Sequence, residues 1–330
     1  MRLFDCPSCG ARLYFGNTGC TACGQEVVYA PEADRMVPLA GPCANRGEIG
    51  CNWPAEGGAL CRACAMTSVI PDTLPPENRA HWAEAERAKR WVLAGLGRWG
   101  WFRAADPGPR PSFALLAEAT AGGPVEISMG HLAGTITLNV SEADPALLAA
   151  RRAALGERLR TVIGHVRHEI GHFLFSRLVP TEGFAPGFRA LFGDERADYA
   201  DALARHYRSG PPPGWEAAHV TGYASAHPHE DWAESAAHLL HLVDIADSAA
   251  AAGLGIEGLA RGEDAYAEAD AARLLDVAAR LGLALNHVTR AMGLEDPYPF
   301  VLAPPVREKL AFAHGWLRAG PPGAEAGPGR

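Results

Sequence analysis

The chain has 330 residues, 48% of them hydrophobic, which is enough to bury a substantial core and to form about two domains. A net charge of −8 argues against a nucleic-acid partner, which would call for a basic surface. No apolar run approaches the ~18–20 residues that span a bilayer, and residues 1–6 lack the charged-then-apolar pattern of a secretory signal, so a soluble, cytoplasmic protein with no membrane partner is expected.

All eight cysteines fall between positions 6 and 64, as Cys6-x2-Cys9, Cys20-x2-Cys23, the wider pair Cys43 and Cys51, and Cys61-x2-Cys64. In a cytosolic chain such pairs read as metal sites rather than disulfides. Two tetrahedral zinc sites, one on Cys6, Cys9, Cys20 and Cys23 and one on Cys43, Cys51, Cys61 and Cys64, use every thiolate. Residues 1–40 therefore read as a zinc ribbon. Gly10 and Gly24 trail its two knuckles, a short strand is expected at 11–15, and its partner at 26–29. So small a unit cannot bury enough apolar surface to fold alone, and the metal supplies the missing stabilisation. Residues 41–75 form a second four-cysteine module, in which Cys61-Arg62-Ala63-Cys64 is the more diagnostic half. Residues 1–64 hold five arginines, no lysine and six acidic residues, which is too little positive charge for phosphate contacts. Docking of a protein partner, or stabilisation of the fold, is the expected role of these modules.

A helical pattern follows from 77 to 101, with Trp82, Trp91, Leu93, Leu96 and Trp99 as packing residues. A Pro/Gly-rich break at 106–111 precedes strand-like residues 127–140, of which 134–140 alternate apolar and polar. His131 precedes that strand. Helices are expected at 145–157, 194–208, 229–249, 271–292 and 305–318, and a disordered Gly/Pro-rich tail from 319 to 330.

The segment 160–178 carries the chemistry. Val162, Val166, Ile170 and Leu174 recur at steps of four and predict a buried helix face. On that helix His168-Glu169-Ile170-Gly171-His172 sets two imidazoles four residues apart, about 5–6 Å between Cβ atoms. Both can then reach one ion at about 2.0–2.1 Å. Glu169 beside them can take a proton from a water held by that ion. Chance alone produces this motif in roughly a few per cent of chains this long. A third ligand therefore matters, since a hydrolytic zinc keeps three protein donors and an open position.

Residues 223–234 offer that ligand. Pro228 suits a helix start, Glu230 and Glu234 lie one turn apart, and Trp232, Ala236, Leu239 and Leu240 supply a buried side. Glu230 can bind the metal while Glu234 hydrogen-bonds the free nitrogen of a ligand imidazole. Asp194 and Glu195, expected in the first turn of a helix, compete for the third position. Among the other histidines, His165 is expected to be partly buried and hydrogen-bonded, and His227 and His229 to sit in an exposed loop. His238 and His241 are expected to hydrogen-bond within the domain.

The motif at 168–172, followed by Tyr223-x6-Glu230-x3-Glu234, resembles the glutamate-ligand zincins of the anthrax lethal factor type. The resemblance implies Glu230 as ligand, Glu234 as its supporting carboxylate and Tyr223 as hydrogen-bond donor to the oxyanion. Over nearly the whole chain except the tail, the sequence is similar to a bacterial family of putative zinc-binding metallopeptidases, in which a zinc ribbon precedes a peptidase domain. Residues 134–140, 164–172, 188–199 and 227–241 carry that similarity. The expected fold is α+β: the ribbon, the second four-cysteine module, and a mainly helical zincin-like domain with a small sheet over residues 76–318.

The implied function is zinc-dependent hydrolysis of a peptide or protein substrate, with one catalytic zinc and two structural ones. Glu169 is the general base and Tyr223 the oxyanion stabiliser. The alternative is a non-catalytic zinc-binding interaction module with a structural or vestigial H-E-x-x-H site. Glu169 favours the enzyme, because a structural site has no need of a base.

Overall fold

The computed structural model describes residues 2–155, 161–298 and 301–323. The end of the helix expected to reach residue 157 and the expected disorder beyond 323 lie outside the described residues. The chain divides into two compact units, Met1–Val166 and Arg167–Arg330.

In the first unit, β1 (Phe4–Asp5) pairs with β2 (Arg12–Leu13), and β3 (Val27–Ala30) pairs with β4 (Arg35–Pro38), both antiparallel. The strand expected at 26–29 thus pairs with β4 and not with residues 11–15. The cause is local: the first knuckle folds β2 back onto β1, with Cys6 N–H donating to the Ala11 carbonyl at 2.8 Å and Gly10 N–H to that of Cys6 at 2.9 Å. Tyr29 is buried in β3, with its ring 5.7 Å from Phe4, 4.9 Å from Phe15 and 5.9 Å from Trp53. Phe15 also meets Trp91, at 5.5 Å. Trp53 belongs to the second cysteine module, with its short helices α1 (Arg46–Ile49) and α2 (Arg62–Ala65), and Trp91 to the long helix α3 (Pro76–Arg98). The ribbon's few apolar side chains are therefore completed by neighbouring segments, as its size requires.

Behind these modules lies a four-stranded sheet of β5 (Thr67–Val69), β6 (Ser112–Leu116), β7 (Gly130–Leu132) and β8 (Thr135–Asn139), in the order β5-β6-β8-β7. β6 runs parallel to β5 and β8, and β7 antiparallel to β8. Alternation at 134–140 becomes β8, where buried Ile136 and Leu138 register with buried Phe113 and Leu115. After a 3-10 turn (Val140–Ala143), α4 (Pro145–Leu155) follows.

Helix α5 (Val162–Leu178) leads into the second unit, which contains α6 (Phe184–Phe192), α7 (Tyr199–Ser209), α8 (Pro228–Ala251), α9 (Ala271–Ala291) and α10 (Pro304–Ala319). Pro228 and Pro304 open α8 and α10, while Gly193, Gly210 and Gly320 close α6, α7 and α10, the usual asymmetry of helix punctuation. α8 is buried on nearly every side and is the core helix of the unit. Its Trp232 is fully buried among Phe184 at 5.2 Å, Phe192 at 5.9 Å, and Phe175 and Phe312, each at 6.2 Å.

α7 corrects the expected start at 194. Asp198 is its N-cap, accepting from Asp201 N–H at 2.9 Å. Asp194 instead accepts from the backbone of Arg196 at 3.0 Å, a local turn that competes with helix. Among the described residues no helix is long and apolar enough to cross a membrane.

Candidate metal centre

α5 and α8 approach closely because residue 171 is glycine. A Cβ there would stand 3.2 Å from both the Cα and the carbonyl oxygen of Ala233. The Trp232 indole N–H closes the contact by donating to the Gly171 carbonyl at 2.9 Å. Two positions of the H-E-x-x-H motif are thus spent on packing, with Ile170 fully buried.

That approach brings three donors together. His168 Nε2 lies 3.1 Å from His172 Nε2 and 3.1 Å from Glu230 Oε2, and His172 Nε2 lies 3.4 Å from the same oxygen. Tetrahedral bonds of 2.0–2.1 Å imply donor separations of about 3.3 Å, so the spacing fits zinc. Glu230 Oε2 is buried and makes no well-formed hydrogen bond, facing the two imidazole nitrogens instead, as an oxygen aimed at an ion would. Burial opposes the charged forms here, yet the mutual contacts outweigh it. They hold the Glu230 carboxyl well below its ordinary range and His168 well above the ordinary imidazole value. A bound cation would replace the proton on His168.

The surroundings orient this set. Glu234 Oε1 lies 2.6 Å from His168 Nδ1, and its other oxygen accepts from the Thr221 hydroxyl at 2.7 Å. Burial pushes the Glu234 carboxyl up, but the bond to His168 outweighs it and holds the group at about 2. The ionised carboxylate fixes the proton on Nδ1 and leaves Nε2 free to coordinate. Glu169 is 7% exposed, and its Oε2 has no hydrogen-bond partner. Tyr223 opens a 3-10 turn (Tyr223–Ala226), with its ring 6.0 Å from that of His168. Burial and the nearby Glu230 push its phenol far up, so it stays protonated.

Two neighbours were not singled out as site residues in the sequence. Thr221 is one, and Tyr199 is the other, its hydroxyl donating to Glu230 Oε1 at 2.5 Å. Asp194 and Glu195, the competing carboxylates, pair instead with Arg196 at 2.7 Å and Arg189 at 2.9 Å. His165 lies 2.8 Å from Glu142. His227 and His229 are not in an exposed loop. His227 is buried as the N-cap of α8, accepting from His229 N–H at 3.1 Å, and His229 packs 4.6 Å from Phe175. Burial, with His172 close by, lowers the His229 imidazole to about 4. His238 hydrogen-bonds Tyr298, and His241 lies 2.7 Å from an Arg167 nitrogen. His131 lies on β7, an edge of the four-stranded sheet.

The eight cysteines form two further groups, Cys6, Cys9, Cys20 and Cys23, and Cys43, Cys51, Cys61 and Cys64. Sulfur separations are 3.7 Å for Cys6–Cys23 and Cys9–Cys20, and 3.6 Å for Cys51–Cys61. Zinc–sulfur bonds of 2.3 Å imply about 3.8 Å, so both groups also fit zinc.

Two four-thiol groups ahead of a helical domain with a His–His–Glu convergence define a zinc-binding protein. Residues 78–316 match the model of a family described as putative zinc-binding metallo-peptidase, and residues 3–42 match a zinc-ribbon domain. The chain belongs to that metallo-peptidase family. Uncharacterized proteins from Mycobacterium bovis and Mycobacterium tuberculosis are 38% identical to it over 326 residues, covering 95% of this chain and 94% of each relative. No solved structure matches the chain.

Proposed function

We propose that this protein is a zinc-dependent peptidase, with its reactive ion on His168, His172 and Glu230 and a structural zinc in each four-cysteine group. The observation that carries the reading is the convergence of the two Nε2 atoms and Glu230 Oε2 beside an unpartnered Glu169 oxygen. A zinc ion held there would acidify a water molecule and polarise a peptide carbonyl. Glu169 takes the proton of the attacking water and returns it to the leaving amine. Tyr223, kept protonated, donates a hydrogen bond to the carbonyl oxygen as it gains negative charge. Glu234 keeps His168 in the coordinating tautomer. The substrate is a peptide or protein, and eight cysteines without a disulfide suit a reducing, cytoplasmic setting.

The test is a peptide-library cleavage assay on zinc-loaded protein beside Glu169→Gln. The variant is expected to keep its full zinc content and to lose about a hundred- to ten-thousand-fold in rate. Undiminished cleavage by Glu169→Gln would remove the assignment. No cleavage by either protein would favour a zinc-binding interaction module.

A further inference from the structure

We propose that Tyr199 is a positioning residue for the third metal donor, setting which oxygen of Glu230 faces the histidines. The inference rests on the reading of His168, His172 and Glu230 as one metal site. A carboxylate ligand can present one oxygen or both, and the choice decides whether a coordination position stays open. In Glu230 the two oxygens are already distinguished. Oε2 faces both imidazoles, while Oε1 accepts the Tyr199 hydroxyl at 2.5 Å. With Oε1 engaged, Glu230 offers one donor atom, and the site holds three protein donors with a position left over.

Tyr199 is itself held in place from two directions. It is the first residue of α7, directly after the N-cap Asp198. Its ring stands edge-on to His227 at 5.1 Å, and His227 caps α8, the helix that carries Glu230. His227 Nε2 also lies 3.1 Å from the Ala197 carbonyl, tying the start of α7 to the start of α8. The hydroxyl thus reaches the carboxylate from a fixed ring. The hydroxyl is the donor, because a carboxylate oxygen can only accept.

Tyr199→Phe keeps the ring and removes only the hydroxyl, and the ring's partial exposure makes the change easy to accommodate. The readout is metal binding. Zinc affinity is measured by chelator competition, and site geometry by the visible spectrum of cobalt-substituted protein. The two thiolate sites are separable there by their sulfur-to-cobalt charge-transfer bands. Tyr199→Phe is expected to weaken zinc at the histidine site about 10- to 100-fold, as loss of an outer-shell partner does. Its cobalt spectrum should move toward higher coordination as Oε1 becomes free to bind, with the thiolate bands unchanged. Unchanged affinity together with an unchanged spectrum would overturn the role of Tyr199. Glu230→Gln is the separate control: it should lose metal from this site alone. If it binds as wild type does, the reading of the site fails, and the role of Tyr199 fails with it.

Discussion

In the first four-cysteine group Cys6 and Cys20 are buried while Cys9 and Cys23 face solvent; in the second, Cys43, Cys51, Cys61 and Cys64 are all buried. The donors are the same and the settings are opposite. Four thiolates around a divalent ion carry a net charge of about −2, given one charge per thiolate. In the first group, water and the knuckle backbone can solvate that charge. The second group needs countercharge from the protein, because an isolated charge is costly to bury.

α3 provides it. Arg90 is 2% exposed; its Nε and Nη1 make no hydrogen bond, and Nη1 lies 3.9 Å from Glu86 Oε2. Beside it, the buried Lys89 bonds Glu86 at 2.8 Å, and Glu86 Oε2 lies 4.0 Å from the Cys64 sulfur. Cys43 pushes the Cys51 thiol up, but Cys61 and Cys64 outweigh it and the Arg90 charge adds to the lowering. Burial thus changes a four-cysteine knuckle from a local clip into part of a domain core, dependent on residues far outside the motif.

Three experiments would break or sharpen this contrast. The largest effect is expected from cysteine replacement. Cys64→Ala should cost the first unit most of the ~10–16 kcal/mol that a structural zinc can contribute and prevent its cooperative folding. Cys9→Ala should loosen only the outer hairpin. Thermal melting and zinc content of the two variants give the answer, and equal losses would erase the distinction. An intermediate effect is expected from Arg90→Leu. Removing one partner from a buried charge set costs about 3–5 kcal/mol, so the second group should release its zinc at lower chelator concentration while the first is unaffected. Cys51 and Cys64 labelling after partial chelation reads this directly. The smallest effect is kinetic: in wild-type protein under mild chelation, Cys9 and Cys23 should alkylate before any thiol of the second group. Mass spectrometry of the labelled peptides would show the order, and simultaneous labelling would mean that burial gives no protection.

The sequence was most informative where spacing is local. Cys-x2-Cys and the four-residue step from His168 to His172 are short-range patterns, and the structure gathers each into one group. Pro228, Pro304, Gly210 and Gly320 mark helix ends that the chain respects. Glu230 became a candidate only through the spacing of Tyr223, Glu230 and Glu234, and Tyr199, though it ends the similar stretch 188–199, was not singled out as a site residue. Its partner lies 31 residues away, and a tyrosine at the start of a helix looks like many others. The hairpin pairing in the ribbon was misjudged because alternation identifies a strand without naming its neighbour. β5 and β6 escaped notice because parallel pairing leaves no turn signature between them.

The sequence distances behind these sites also set an order in time. Cys6 and Cys23 are 17 residues apart and Cys51 and Cys61 only 10, whereas His168 and Glu234 are separated by 66. A chain emerging from the ribosome can assemble its N-terminal elements first. Both thiol groups are complete while the histidines still lack their carboxylates. A nascent chain halted before α8 carries Glu169 and both imidazoles but neither Glu230 nor Glu234, so synthesis itself keeps the histidine site incomplete until the core helix of the second unit has been made.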